Sequence, residues 1–414
     1  MKIVSDLYQK LKDVNFYKEQ FELQEGKGNI LFIDPEMSSF DFYTMVVPYL
    51  ALPETSKYNT AMTGLYRFSE VDSKPPTKLS SLELKWANVV VLPMSLEMFG
   101  GSDGLYSEIR SVNPNIKIIQ TCEFDFYEIT NDHYLLEDNE VEQIVKRLGK
   151  KKSPKTMREI RKELKEKIIH QLEMNYRSAD RILTLNHHLA KKLREKGFSD
   201  VQYCPILIEE NEFKSNLDHM DTLGLKGTTG IFFLSVDLNE NTKNAFKEFI
   251  PQFVELRKKH ENKFRLVIIG DHPTKYFPNF DMEIDHLSRG SIVHQFKNIN
   301  KSTADLHLIL NKKSEFSSNS DSLIDYIEHG MFGIPCITLD NPYWKEFVKD
   351  KQNGFLIKVR SELITLVDES INDKSAIMDL SKKLKASVVQ TSQISEENLR
   401  QLGFVFFGGY NKDE

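Results

Sequence analysis

At 414 residues, with 40% hydrophobic and 28% charged side chains, the chain exceeds one ordinary core and suits two domains of roughly 150–200 residues. The net charge of −6 gives no global attraction to nucleic acid or anionic lipid, so any such contact must be local. Cys122, Cys204 and Cys336 fit neither a disulfide framework nor a metal-ligand spacing, which points to a reducing interior.

The first segment carries Ile3, Leu7, Leu11 and Val14 at helical spacing, a face expected to pack on a sheet. It has no signal-peptide core, and no apolar run in the chain reaches the ~18–20 residues that span a bilayer. The expected location is the cytoplasm, or a membrane surface without a crossing. Strands are predicted at Asn29–Asp34, Ala87–Pro93 and Asn115–Thr121, with helical patches between them. That alternation implies a parallel sheet. Met157, Ile160, Leu164, Ile168, Leu172, Tyr176 and Ala179 then build one stripe of a long helix. Asp180–Asn186 is a buried strand, Asn186 caps a short helix that Gly197 stops, and Val201–Ile208 closes this half.

Residues 209–228 are polar and lack periodicity, as a linker does. The alternation restarts with a strand at Gly230–Val236 and a helix at Asn244–His260. Strands are predicted at Arg265–Gly270, Ser291–Phe296 and Asp305–Leu310. A helix at Asp321–Met331, a strand at Pro335–Leu339 and two helices between Ser361 and Gln390 complete the pattern. The expected division is 1–208, a linker at 209–228, a second domain at 229–392, and a tail at 393–414.

Open parallel sheets bind ligands beyond the carboxyl ends of their strands, where helix N-termini carry positive partial charge. The loop Asn311–Ser322 leaves a strand end and enters a helix, so its backbone N–H groups and the hydroxyls of Ser317, Ser318, Ser320 and Ser322 suit a diphosphate. The same residues also suit a plain serine-rich loop with an N-cap. Glu328 lies two turns into that helix on the face of Asp321, while Leu323 and Ile327 point toward the sheet. A carboxylate there can accept both hydroxyls of a ribose, or simply be solvated.

Glu328–Pro335, EHGMFGIP, resembles the E-A-M-A-x-G-x-P stretch of the GT-B glycosyltransferases, with Glu328, Gly333 and Pro335 at the family's spacing. Val348–Leu356, Ala179–Lys196 and Pro205–Phe213 resemble three further stretches of that family, in the right order. The resemblance implies an α/β fold of two Rossmann-like domains facing an interdomain cleft. It also implies a metal-independent, retaining transferase that moves a sugar from a UDP- or GDP-sugar, with no fixed cofactor. Glu328 would hold the ribose. Lys243, Asp321 and the serines would hold the diphosphate, and Gly270 would allow close backbone approach. Ile116–Asp125 resembles a strand end of bacterial and phage glycosyltransferase-like proteins, in which an acidic pair, here Glu123 and Asp125, handles the acceptor hydroxyl. Tyr66 and Arg67 stand where that group often carries Tyr-Arg.

Two departures bear on turnover. Ser320 stands where the family has its first glutamate, with Glu315 and Asp321 nearby. Leu238 and Thr242 occupy the positions of two diphosphate-binding arginines, leaving Lys243 and Asn239 as matches. A decayed scaffold serving as a partner or acceptor-recognition subunit is the alternative, as is a phage-type transferase acting on modified DNA. The acceptor is open among glycan, lipid-linked, protein and nucleic-acid classes. Lys146–Lys167 carries eleven Lys and Arg against three Glu, a candidate contact to anionic headgroups or nucleic acid and equally a solvated helix face. No metal site is read; His187 and His188 show no partner at ligand spacing.

Overall fold

The computed structural model describes residues 28–33, 38–63, 81–94, 102–129, 136, 138–208, 230–240, 242–288, 292–310 and 323–408. The N-terminal segment, the 209–228 linker, Tyr66, Arg67 and the 311–322 loop lie outside the described residues. The chain divides into two compact units, one ending at Ile206 and resuming at Ser395, the other taking Leu207–Ile394.

The first unit holds a parallel sheet of β1 (Gly28–Ile33), β2 (Tyr58–Thr63), β3 (Val89–Leu92), β4 (Lys117–Thr121), β5 (Arg181–Thr184) and β6 (Val201–Tyr203). Their order is β2-β1-β3-β4-β5-β6. Strands such as β3 and β5 are buried along their whole length, as a sheet covered on both faces requires. Leu31, Val90, Ile109 and Ile118 belong to one apolar cluster, and Cys122, Phe126, Leu172 and Tyr176 to another. The Pro154–Ser178 helix supplies Leu172 and Tyr176. It starts on a Ser153 cap with Pro154 in its first turn, where the missing N–H costs nothing.

The 393–414 tail of the sequence reading contains a helix, Glu396–Phe407, that belongs to this first unit. Phe406 meets Phe32 edge-on at 5.7 Å, and Phe407 stacks on Tyr58 at 5.1 Å. Gly403 permits the approach, because a Cβ there would sit 2.4 Å from the Tyr58 hydroxyl. Arg181 finishes the helix: its Nη1 donates to the carbonyls of Phe404 and Val405, and its Nη2 pairs with Asp200 at 2.7 Å. A cation at a helix C-terminus satisfies carbonyls that lack a partner within the helix.

The second unit holds β7 (Phe232–Leu238), β8 (Phe264–Gly270), β9 (Asp285–Ser288), β10 (Leu306–Leu308), β11 (Cys336–Leu339) and β12 (Phe355–Ile357). All pairs are parallel, in the order β12-β11-β10-β7-β8-β9, the Rossmann arrangement. Strand order reverses between β7 and β10, and ligands of such sheets bind at that switch point. One face carries Leu234, Val236, Leu266, Leu306 and Leu308 against Phe246, Phe249 and Phe253 of the Lys243–His260 helix. The chain enters and leaves this unit side by side, since Ile208 pairs with Gln393.

One expected element is corrected. Ser291–Phe296 is not a strand, because Ile292–Lys301 form a helix that packs Phe296 and Ile299 inward. Six residues with Ile292, Val293 and Phe296 apolar fit either state, and here the following residues continue the helical period. The true third strand, β9, is DHLS, a mostly exposed edge strand without an apolar signal.

Candidate functional site at the switch point of the second sheet

The end of β7 turns through Asn239 to Thr242 into the Lys243–His260 helix. Thr242 Oγ1 donates to Asp237 O at 2.9 Å and accepts from Asn239 N at 2.9 Å. Thr242 therefore closes the turn between β7 and the helix. Leu238, at the other arginine position, is fully buried in the core. Lys243 opens the helix, with its Nζ paired to Glu240 and 5.6 Å from the Tyr276 ring centroid. Burial, with Asp271 and Glu240 as hydrogen-bond partners, pushes the Tyr276 hydroxyl well above its usual range.

Gly270 ends β8 at φ +116°, and a Cβ there would lie 2.3 Å from Leu238 O. The backbone that needs the glycine is thus β7 itself, whose Leu238 O also accepts from Asp271 N at 2.8 Å. Ser317, Ser318, Ser320, Asp321 and Ser322 lie outside the described residues.

The helix after that loop, Ile324–Met331, is buried almost throughout, and Leu323 and Ile327 are buried as the sequence pattern requires. Glu328 is 0% exposed, and its Oε2 accepts from Gln295 Nε2 at 3.0 Å. A carboxylate taken wholly out of water needs such donors. The sequence reading missed Gln295, because it placed the residue on a strand.

The interior of this unit also holds a cluster of polar side chains. Across three neighbouring strands Ser235, His307 and Cys336 are in register, two residues before Asp237 on β7. His307 and His329 stack at 3.5 Å between centroids with 15° between planes. Burial lowers the His329 ring to about 4, and burial with the neighbouring His329 holds His307 well below its usual range, so both are neutral. Burial also raises the Asp325 carboxyl to about 6. Asp237, His307 and His329 each bring one ligand-capable atom to within 4.8 Å of the others. Their spacing in sequence gave no sign of it; the parallel register sets β7 beside β10, and the Ile324–Met331 helix adds His329.

On the first unit, Glu123 and Asp125 follow β4. Glu123 is exposed. Asp125 is buried, caps the turn at Phe126–Glu128 by accepting from Tyr127 N at 3.1 Å, and pairs with Lys192 at 2.6 Å. Lys192 also pairs with Glu128. Burial works against the Lys192 charge, but the hydrogen bonds that its ammonium donates to the two carboxylates hold it above its usual range. All three cysteines are free and buried, and burial pushes the Cys204 thiol up to about 12.

Residues 223–387 match the family model Glycosyl transferases group 1. Over these residues the second unit is similar to a group 1 glycosyl transferase domain. No curated protein matches the sequence. Among solved structures, Anabaena HepE in complex with UDP-glucose is similar, with a TM-score of 0.55 and 10% identity over 91% of this chain and 98% of that one. Sucrose-phosphate synthase from Thermosynechococcus elongatus gives 0.52 and 11% over 91% and 98%. A glycosyltransferase from Rickettsia africae gives 0.51 and 11% over 92% and 98%. At such identities the likeness concerns the fold, two Rossmann-like units of the GT-B type. In this unit Lys243 opens the helix after β7, Gly270 ends β8, and Glu328 lies on the helix after β10.

Proposed function

We propose that the protein is a glycosyltransferase that takes its sugar from a nucleotide-sugar donor bound at the β7–β10 switch point. The observation that carries this reading is Glu328, fully buried on the helix that follows β10 and lying within the group 1 match. Its carboxylate would accept the ribose hydroxyls. Lys243 and the backbone from Ser317 to Ser322, with Asp321, would hold the diphosphate. UDP or GDP is the expected nucleotide, in keeping with the UDP-glucose of the HepE complex.

Catalysis would consist mainly of stabilising the departing diphosphate as the glycosidic bond breaks, with retention at the anomeric carbon and no metal at the reacting atoms. On the first unit, Glu123 and Asp125 would address the acceptor. Asp125, tied to Lys192, would position the strand end, while exposed Glu123 would meet the hydroxyl. The acceptor class stays open among glycan, lipid-linked, protein and nucleic acid. Among the described residues no helix is long and apolar enough to cross a membrane. A cytoplasmic protein touching anionic headgroups through Lys146–Lys167 would use Lys152, Arg158, Arg161 and Lys165, which line a groove together with Asp138 and Glu142.

The second reading, a decayed scaffold, is favoured by Thr242 closed on its own turn, Leu238 in the core and Lys243 paired to Glu240. Calorimetric titration with UDP-, GDP- and ADP-sugars separates the two. Saturable binding of one donor, with sugar release or transfer, supports the enzyme; a folded protein that binds none of the three supports the scaffold.

A further inference from the structure

We propose that Asp237, His307 and His329 form a binding site for one divalent transition ion of the zinc class. The three come from different elements, the end of β7, the middle of β10 and the helix that carries Glu328. Two imidazoles and one carboxylate are the donor set that such ions take, whereas magnesium and calcium favour oxygen alone.

The hydrogen bonds on the far side of each ring argue for a ligand. His329 Nδ1 lies 2.8 Å from Asp325 O, and a carbonyl only accepts, so the proton sits on Nδ1. That leaves a lone pair on Nε2, which is buried and has no hydrogen-bond partner among the described residues. His307 Nδ1 lies 3.0 Å from Ser235 Oγ, whose own proton faces Leu306 O at 3.5 Å. The hydroxyl then accepts from Nδ1–H, and His307 too keeps its lone pair on Nε2. Metal-binding histidines are oriented in this way, with the second nitrogen donating to a backbone or side-chain oxygen. Two neutral rings that both present lone pairs beside a carboxylate repel one another unless a cation lies between them.

Bonds of ~2.0–2.1 Å require the ligand atoms to draw closer than their present 4.8 Å span, with one stacked ring turning toward the ion. Half-buried Asp237 is the side from which the ion enters. Bound there, it would tie β7 and β10 to the helix of Glu328 without touching reacting atoms.

The test is cobalt titration of the full-length protein after chelator dialysis, read by visible absorption and by metal analysis. The expected result is one Co2+ per chain with ligand-field bands, displaced by Zn2+ and not by Mg2+. Asp237→Asn and His329→Gln should each weaken uptake at least ~10-fold, while His286→Gln, whose ring meets His272 edge-on at 5.1 Å between centroids and takes no part in the cluster, should not. Circular dichroism identifies any variant that fails to fold, and near-isosteric Asp237→Asn then decides. Absence of saturable uptake, or uptake unchanged in Asp237→Asn and His329→Gln, overturns the site and leaves a polar cluster only.

Discussion

Gln295 donates to Glu328 across 3.0 Å, joining the Ile292–Lys301 helix to the helix that follows β10. The contact satisfies one oxygen of a carboxyl group held within the interior of the second unit. Replacing Gln295 by leucine removes a donor to that carboxylate and should cost about 1–3 kcal/mol. Urea unfolding of Gln295→Leu measures it, and an unchanged midpoint would mean that the bond contributes nothing.

The stacked histidines predict how stability depends on pH. Their folded values lie below the unfolded value of about 6.5, so the unfolded chain takes up protons first as pH falls. Their contribution is complete above that value and is lost on acidification, for His329 down to about 4. In chelator, unfolding free energy should drop between pH 6.5 and 5 by up to ~1.4 kcal/mol per pH unit for each ring. His329→Gln should flatten the profile; an equally steep profile in that variant would contradict the assignment.

Arg181 ties the Glu396–Phe407 helix to the first sheet through two carbonyls and Asp200. Arg181→Met leaves those groups unpaired and should cost ~3 kcal/mol. Hydrogen exchange should show the loss first in residues 396–407, and protection unchanged there would refute it.

Much of the fold was legible because β1, β3, β4 and β8 are short apolar runs between helical patterns, which suits strands covered on both faces. Ser291–Phe296 was misread because six residues carry too little period to separate helix from strand. β9 escaped because an exposed edge strand such as DHLS needs no apolar residues. Glu328 was singled out from its motif, and the structure buries it on the helix after β10. Gln295 and the His307–His329 pair were not, because the first depends on a helix that was misassigned. The second depends on which residues face one helix across the register of parallel strands.

Lys243 is the charge at the turn after β7 that matches the family pattern. Lys243→Met should weaken binding of a nucleoside diphosphate about 10-fold, some 1.4 kcal/mol, and leave the parent nucleoside unaffected. Comparing UDP with uridine, or GDP with guanosine, reads the difference. Equal losses for both would place Lys243 away from the phosphates.

The most direct test of the donor site is the dissociation constant of UDP and of GDP for the wild type and for Glu328→Gln. The account predicts that whichever nucleotide binds is held at least ~10-fold less tightly by the variant, within the 1–3 kcal/mol of a lost charged hydrogen bond. Identical affinity in a folded Glu328→Gln protein would contradict it.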